Sequence, residues 1–570
     1  MRFLAKYIPI ALVGQLMACA LQRSPVKEEG DPPPPPLSES TVVLERHPRM
    51  VMPGEVVKAK PFTLFVGLTD AAPSGNAAAV VISGEDEETQ GALKLELPTL
   101  KEGIKAWSIN VLLSAPDFTI DGDDFRTIQL PQEGPSTLAR YELTLDAVPS
   151  SGKASVEAYL FHEGSFMGQI GRTVQAVDAP SANPLPVTDV VGDQGAAVRS
   201  TVPSHELHLL AIDDTKALVV INEPGKTTAH SVVNFDRTAL PAFLTPKLAA
   251  IRARGLDRVD RDPVGMGMVK GLGAQLWPLT PAPIREHLLR IYQDPEVNAL
   301  RIYTNVPGFP WELLRPVTEE ATLAPLGTRF QLGRWHLRMG MSGLTVPPTR
   351  IDYRELVAMV PTYEGGDALP AVKRELEALN RMEGFRRLPG VAASVAAVVK
   401  DPPNGVLHFA GHGDAQTTEG SATRYALRLE DGAFDSTAFV GLDDKRLRER
   451  QTLIFFNACE LGQADATANI VEGWAPVMLD AGASGYIGAL WPVGDEEAAA
   501  FAEAFYENVE SSIAAYGRAP VTEIMRCLRK RGADRDDPTW QAYVFYGDPS
   551  TELYREGVEP TDPEGRYTCE

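Results

Sequence analysis

Two short segments in the C-terminal third of the chain place the strongest constraint on its fold. Val406–Gly413 and Thr452–Glu460 each contain an apolar run that predicts a buried strand, followed by small residues that end it. The first segment places His412 in a glycine turn, and the second places Cys459 directly after its strand. Reacting side chains of α/β proteins collect at the carboxyl ends of parallel strands, so this pair predicts thiol-dependent acyl transfer.

Beyond residue 205, near-continuous apolar runs alternate with helical stretches. Further strands are expected at Leu356–Val360, Tyr486–Leu490 and Tyr543–Tyr546, and Leu207–Ile221 is predicted to form a hairpin. Apolar strands separated by helices are typical of a mostly parallel sheet with helices on both faces. We therefore predict an α/β domain over residues 205–555, followed by a polar tail at 556–570.

One helix of this domain is well specified by its sequence. Asp495 is predicted to cap it, and Glu496 favours the positive end of the helix dipole. Four apolar residues at helical spacing form its buried stripe, namely Phe501, Phe505, Val509 and Ile513.

Residues 41–182 have a different pattern. Short runs of alternating polar and apolar residues, such as Phe62–Leu68, Ala106–Val111 and Ala154–Leu160, are separated by turn residues. This pattern predicts an antiparallel, sandwich-like β-domain. It contains no catalytic constellation, so a binding or spacing role is expected. Residues 183–204 are predicted to link the two domains.

The N-terminus has the pattern of an export signal. Residues 1–19 combine two early basic residues with an apolar stretch too short to span a bilayer, and they end in Leu16–Cys19, which resembles a bacterial lipobox. Lipidation of Cys19 would make a membrane-anchored lipoprotein that faces the periplasm or the cell surface. The proline-rich residues 20–40 would form a semi-rigid spacer. The alternative is a cytoplasmic protein with a nondescript N-terminus.

Charge and cysteine content narrow the function further. A net charge of -22 over 570 residues argues against nucleic-acid binding, which needs clustered Lys and Arg. The four cysteines do not make a disulfide framework. Cys527 lies in a predicted helix, where it is either a buried filler or a partner of Cys569 in an oxidising compartment.

His408 and His412 have a spacing that would suit a metal ion on a helix. Because the residues around them predict a strand, no metal or other cofactor is expected. His408 is predicted to be a core histidine, which leaves His412 as the reactive one. Cys459 has an alternative role as a buried filler, since free cysteines are often buried.

Five motifs in order carry a family resemblance. The chain resembles the CHAT domain, a branch of the caspase–separase clan (clan CD) of cysteine peptidases. The resemblance extends over roughly residues 205–555 and implies a caspase-like fold. The matching motifs are Pro310–Leu314, His408–Gly413, Asn457–Glu460, Gly488–Glu496 and Tyr546–Pro549.

The resemblance implies a Cys459/His412 dyad, since no third member of a triad is evident. It also implies that the backbone N–H groups of Gly413 and Cys459 form the oxyanion hole. The loop after the strand ending at Leu490 should line the S1 pocket, with Trp491, Asp495 and Glu496 as candidates. A carboxylate there would favour a basic P1 residue, unless Asp495 only caps its helix.

These expectations describe a cysteine endopeptidase that cleaves one or a few protein partners. CHAT-type proteins are often triggered by an associated sensor, so the resemblance implies gating by an activating partner or by the β-domain. Two alternatives remain open. One is a non-catalytic scaffold with a caspase-like fold, and the other is transpeptidation or amide hydrolysis on a non-protein substrate.

Overall fold

The computed structural model describes residues 41–70, 93–100, 103–162, 165–181, 187–191, 205–224, 229–255, 261–337, 347–365, 368–416, 424–436, 438–439, 446–459, 470–491 and 493–569. The predicted lipidation site, Cys19, and the proline-rich spacer lie outside these residues. Thr41–Glu570 form one compact unit. No helix among the described residues has the length and apolar character needed to cross a membrane.

The N-terminal part consists of two β-sheets. One has the strand order β11-β1-β3-β8-β6, with β4 paired to β1, and the other has the order β2-β10-β9-β5-β7. Buried residues from both sheets form one apolar cluster, as in a β-sandwich. The strands are β1 (Thr41–Pro53), β2 (Glu55–Val57), β3 (Pro61–Thr69), β4 (Leu93–Pro98), β5 (Ala106–Ser114), β6 (Phe118–Asp121), β7 (Phe125–Pro131), β8 (Ala139–Leu145), β9 (Lys153–His162), β10 (Ser165–Val177) and β11 (Val187–Val191).

The last of these strands lies in the segment predicted to be a linker. Val187–Val191 pairs with β1 in antiparallel register, with Met50 opposite Val190. The sandwich therefore contains a strand from beyond the predicted boundary at residue 182.

The C-terminal part is built on one large, mostly parallel sheet. Its order is β14-β13-β12-β15-β16-β26-β24-β23-β20-β18-β19. The strands are β12 (His205–Ala211), β13 (Lys216–Asn222), β14 (Ala229–Asn234), β15 (Ala299–Thr304), β16 (Gln331–His336), β18 (Glu355–Val360), β19 (Phe385–Pro389), β20 (Gly405–Gln416), β23 (Leu453–Cys459), β24 (Gly485–Ala489) and β26 (Tyr543–Tyr546). The predicted fold class, an α/β domain preceded by an all-β sandwich-like domain, is confirmed.

Smaller strand groups complete the sheets. A hairpin of β21 (Arg424–Leu429) and β22 (Gly432–Asp435) extends from β20, and β17 (Arg350–Asp352), β25 (Arg518–Pro520) and β27 (Glu552–Tyr554) form a three-stranded sheet. The predicted hairpin at Leu207–Ile221 is confirmed, because β12 and β13 pair in antiparallel register.

The described α-helices share one apolar core with the large sheet. They are α1 (Ala239–Gly255), α2 (Pro263–Leu276), α3 (Ala282–Tyr292), α4 (Leu326–Arg329), α5 (Val372–Leu379), α6 (Ala392–Lys400), α7 (Arg446–Arg450), α8 (Ile470–Asp480), α9 (Asp495–Tyr516) and α10 (Val521–Asp534). The predicted stripe on α9 is confirmed, since Phe501, Phe505, Val509 and Ile513 are all buried.

The predicted cap of helix α9 is wrong. Gly494 occupies the N-cap position, and Asp495 is the first helical residue without a side-chain capping bond. The Asp495 carboxylate instead accepts a hydrogen bond of 2.8 Å from the backbone N–H of Ala371, the residue that precedes helix α5. A contact between two helices has replaced a local one.

The polar tail folds back onto helices α9 and α10. The backbone N–H groups of Thr561 and Asp562 donate to the carbonyls of Ala514 and Ala515 at the end of α9. A disulfide joins Cys527 of α10 to Cys569, whose Cα atoms lie 5.2 Å apart. The pairing that spacing alone left open is therefore present.

The sandwich packs against the first strands of the large sheet. The rings of Phe161 and Phe166 contact His208 of β12, and Phe166 also contacts Tyr303 of β15. The backbone N–H of Phe166 donates to the buried carboxylate of Glu206, which is paired with Arg301. Arg301 in turn forms an ion pair of 2.7 Å with Asp548, so buried charge links the sandwich contact to the C-terminal end of β26.

Candidate active site

His412 and Cys459 are brought side by side by two neighbouring parallel strands. The apolar residues Val406–Ala410 and Leu453–Phe456 are buried, which fixes β20 and β23 in the middle of the sheet. In the register of this pair, His412 is the direct partner of Cys459. Adjacent strands lie about 4.8 Å apart, so the two positions are neighbours at the same edge of the sheet. The structure describes the backbone of Cys459, while its thiol lies outside the described atoms.

The imidazole of His412 is buried and held by a tyrosine. Its side chain is 1% exposed. The backbone N–H of His412 donates a hydrogen bond of 3.0 Å to the hydroxyl of Tyr363, and the centres of the two rings lie 4.4 Å apart. The Tyr363 hydroxyl in turn donates to the carbonyl of Arg428, at 2.6 Å. Tyr363 lies just beyond β18, and no pattern in the sequence points to it.

The predicted glycine turn around His412 is wrong. Strand β20 continues to Gln416, and Gly413 pairs with Leu427 of the β21–β22 hairpin. Gly411 serves a different purpose, because a Cβ atom there would lie 2.6 Å from the Tyr363 hydroxyl. The glycine is needed for the close approach of Tyr363, whereas the positive backbone angle of a turn is not involved. Gly413, the candidate oxyanion donor, is buried beside His412.

His408 is a core histidine, as predicted. It is fully buried, its Nδ1 lies 3.0 Å from the hydroxyl of Tyr506, and its Nε2 lies 2.8 Å from a carboxylate oxygen of Glu375. Tyr506 belongs to α9 and Glu375 to α5, so one ring joins β20 to two helices.

Asn457 extends this buried network to the strand that carries Cys459. Its amide nitrogen donates to the same oxygen of Glu375 at 2.7 Å and to the carbonyl of Ala498 at 3.1 Å. Its amide oxygen accepts from the hydroxyl of Tyr543 at 2.6 Å. In the sequence, Asn457 stands out only as part of the motif Asn457–Glu460, and Glu375 belongs to no motif. The one available signal for Glu375 was a carboxylate on the apolar side of a short amphipathic helix.

Two of the three candidates for the S1 pocket, Asp495 and Glu496, have partners of their own. Trp491 is buried. Glu496 forms an ion pair of 2.6 Å with Arg374 of α5. Asp495 is half-buried, and this burial raises its pKa above the ordinary value. The hydrogen bond from Ala371 and the nearby His412 act on that pKa in the opposite direction.

A cleft opens next to Tyr363. It has a volume of about 400 Å³ and is lined by residues from the loop after β18 and from the β21–β22 hairpin, among them Tyr363, Glu364, Arg428 and Glu430. Because Tyr363 contacts His412, this cleft reaches to within one side chain of the candidate site.

Ligand-type side chains gather elsewhere in the described chain. The cluster of three that the described residues contain is Glu523, Cys527 and Cys569, and its two sulfur atoms are joined in the disulfide. His408 and His412 do not form such a cluster with a third ligand among those residues.

Comparison with known families assigns part of the chain to a family. Residues 270–548 match the CHAT domain. This part of the chain is a CHAT domain. The match lies inside the predicted range of 205–555, and it includes both His412 and Cys459. No curated protein matches the sequence.

Among solved structures, the chain is similar to the following three. The Arg-specific cysteine proteinase gingipain R is 12% identical with a TM-score of 0.32, over 48% of this chain and 68% of its own. A second structure, described as a protease, is 13% identical with a TM-score of 0.32, over 48% and 69% of the two chains. Separase in the Saccharomyces cerevisiae separase–securin complex is 9% identical with a TM-score of 0.35, over 62% and 30%.

Proposed function

We propose that this protein is a cysteine endopeptidase that cleaves one or a few protein partners, with Cys459 as the nucleophile and His412 as the base. The observation that carries the proposal is the register of β20 and β23, which pairs these two positions at the carboxyl ends of neighbouring parallel strands. A thiol and an imidazole at adjacent positions are the minimum that thiol-dependent acyl transfer requires.

The chemistry follows from this pair. His412 takes the proton of the Cys459 thiol, and the thiolate attacks the carbonyl carbon of a peptide bond. The developing oxyanion is stabilised by the backbone N–H groups of Gly413 and Cys459, each worth about 3 kcal/mol of barrier in comparable sites. His412 then protonates the leaving amine, and water releases the acyl group from the sulfur. The hydrogen bond from the His412 backbone N–H to the Tyr363 hydroxyl holds the base in place.

The contacts of the S1 candidates do not support a strong preference for a basic P1 residue. Glu496 is neutralised by Arg374, and Asp495 accepts a hydrogen bond from Ala371. A carboxylate that already has a partner offers less to a substrate cation than a free one. We therefore propose a protein substrate with no preferred charge at the P1 residue.

We further propose that an activating partner or the sandwich controls the site. In the described residues the sandwich contacts β12, β14 and β15 through Phe166, Phe125 and their neighbours. Four strands, β15, β16, β26 and β24, separate β12 from β23 in the sheet. Control by the sandwich would therefore act through the sheet instead of covering His412.

The place of action proposed from the N-terminus is outside the cytoplasm, at a membrane, through lipidation of Cys19. The Cys527–Cys569 disulfide supports an oxidising compartment, where such bonds persist. Processing that is blocked by globomycin and lost in Cys19→Ala would support the anchor, whereas unaltered processing in both would refute it.

The test of the enzymatic proposal is trapping with irreversible peptidyl electrophiles. The full chain is incubated with a library that varies at P1, beside Cys459→Ala and His412→Ala, and adducts are read by intact mass. We expect one adduct on the wild type, none at this site in Cys459→Ala, and slower labelling in His412→Ala.

Cell extract is added in a second arm, because a gated enzyme would react only after its trigger. Absence of an adduct on folded protein in both arms would refute the endopeptidase and leave the non-catalytic scaffold. Labelling by small amide electrophiles without any peptidyl preference would favour a non-protein substrate.

A further inference from the structure

A buried polar cluster lies beneath the candidate site and is not used by the chemistry proposed above. It is formed by Glu375 of α5, His408 of β20 and Asn457 of β23, all of which are at most 2% exposed. We propose that these three residues are positioning residues, which set the alignment of His412 and Cys459. The inference rests on the proposed function, because it assigns a role to groups that do not touch a substrate.

One oxygen atom joins the two strands that carry the site. Oε1 of Glu375 lies 2.8 Å from Nε2 of His408 and 2.7 Å from the donating amide nitrogen of Asn457. A carboxylate that accepts two hydrogen bonds fixes both donors in direction as well as distance. Since β20 and β23 supply one donor each, any slip of one strand against the other would break a bond to Glu375.

The positions along the strands relate this cluster directly to the site. His408 precedes His412 by four residues, and Asn457 precedes Cys459 by two. Side chains of a strand alternate between its two faces, so even spacings return to the same face. The register pairs Ala410 with Asn457 and His412 with Cys459. The cluster thus occupies the face of the sheet on which the site positions lie, two same-face positions before His412 on β20 and one before Cys459 on β23.

Helix α5 also holds the start of helix α9, which borders the same face. The N–H of Ala371 donates to Asp495, Arg374 pairs with Glu496, and Asn457 donates to the carbonyl of Ala498. These contacts leave α5, α9 and both strands with one mutual arrangement. These contacts involve two of the predicted S1 candidates, Asp495 and Glu496. The cluster therefore orients the dyad and also the start of α9 beside it.

The burial of Glu375 indicates more than a packing role. Taking a carboxylate out of water is costly unless it is fully hydrogen-bonded, and an apolar residue of the same size would avoid that cost. What the carboxylate supplies and an apolar residue lacks is directional bonding to His408 and Asn457. Directional bonding matters where geometry matters, since a misplacement of about 1 Å can lower a rate by about 100-fold.

The experiment measures the alkylation of Cys459 by iodoacetamide in the full chain as a function of pH. Peptide mapping by mass assigns the rate to Cys459, because Cys19 also carries a thiol in chains that are not lipidated. Glu375→Gln retains size and one acceptor, and Asn457→Asp replaces the donor by an acceptor. Glu377→Gln, on the exposed side of the same helix, is the matched control.

For Glu375→Gln and Asn457→Asp we expect alkylation about 10-fold slower near pH 7, with the midpoint moved towards that of an ordinary thiol, about 8.5. The double variant Glu375→Gln/Asn457→Asp offers a donor at 375 to an acceptor at 457, so it should recover part of the rate. Glu377→Gln should match the wild type. Circular dichroism and thermal melting establish that each variant is folded at the assay temperature.

Two failures can be told apart. If His412→Ala alkylates as fast as the wild type at every pH, the dyad itself is absent, and both the proposed function and this inference fail. If His412→Ala is slow but the Glu375 and Asn457 variants keep the wild-type rate and midpoint, only the positioning role is overturned. A uniform loss in melting temperature without a change in the pH midpoint would likewise assign the cluster to stability alone.

Discussion

Both halves of the large sheet bury glutamate side chains, and Glu312 and Glu375 are satisfied in different ways. In the half next to the sandwich, Glu312 forms a fully buried ion pair with Arg334, whose guanidinium also donates to the carbonyls of Pro307 and Phe309. In the other half, Glu375 accepts hydrogen bonds from an imidazole and an amide. The first carboxylate has a permanent cation beside it, and the second does not.

The difference is informative because of where each glutamate lies. Arg334 is the residue of β16 that pairs with Tyr546 of β26, so the Glu312 pair strengthens the join between the two halves of the sheet. Glu375 lies instead beneath the strands that carry His412 and Cys459. The ion pair of Glu312 holds Arg334 at the join, whereas the hydrogen bonds of Glu375 to an imidazole and an amide fix the directions of His408 and Asn457. Stability and alignment are thus assigned to separate carboxylates.

The largest expected effect comes from removing the Glu312 carboxylate. Glu312→Ala leaves the Arg334 charge buried without its partner, so we expect a loss of about 3–5 kcal/mol in the free energy of unfolding. Urea unfolding followed by circular dichroism measures it, with the exposed Glu320→Ala as the control.

The same variant separates the two halves. In the fraction of Glu312→Ala that remains folded, Cys459 should alkylate at the wild-type rate, because the variant leaves the bonds of Glu375 intact. A slower rate in folded molecules would contradict the division of roles, since it would mean that the join between the halves also aligns the site.

A smaller effect is expected from Tyr363→Phe, in the half of the sheet that carries His412 and Cys459. The variant removes the acceptor of the His412 N–H and the donor to the Arg428 carbonyl, and retains the ring contact. A hydrogen bond of this kind contributes about 1 kcal/mol, so Cys459 should alkylate about fivefold more slowly. Tyr292→Phe is the control, because it removes a hydroxyl that donates to the carbonyl of Ala324, 32 residues further along the chain. If Cys459 is alkylated at the same rate in Tyr363→Phe and Tyr292→Phe, Tyr363 has no role in the site.

The sequence predicted those parts of the molecule that depend on local pattern. Apolar runs indicated the strands of the large sheet, and the alternation of β20 indicated that His408 is buried. The motifs around His412 and Cys459 led to the CHAT domain, because both strands carry their reactive positions within a few residues of a strong signal.

What the sequence could not supply depends on contacts between distant segments. Gly411 was interpreted as part of a turn, but it makes room for Tyr363, which lies 48 residues earlier in the chain. Asp495 was assigned to its own helix, but it bonds the backbone before α5. Glu375 carries no motif, and its role follows only from the arrangement of three elements around one oxygen atom. The Cys527–Cys569 bond depends equally on the return of the tail to α10.

The smallest expected effect concerns Glu497 in the first turn of α9, a carboxylate whose pKa is affected by other carboxylates. Burial first, and then the charges of Asp537, Glu496 and Asp495, raise the pKa of Glu497 from 4.5 to about 7, against a backbone hydrogen bond that lowers it. The folded state therefore prefers protonated Glu497: its stabilising contribution is complete below pH 4.5 and is lost as the pH rises through 7.

Glu497→Gln, which stays neutral, should unfold like the wild type at pH 4.5 and be about 1 kcal/mol more stable at pH 8, a value reduced for its partial exposure. Thermal melting at the two pH values measures this difference, with Glu377→Gln expected to follow the wild type at both. Equal stability of Glu497→Gln and wild type at pH 8 would mean that the carboxylate is well solvated when charged, and that the start of α9 tolerates its cluster of acids without cost.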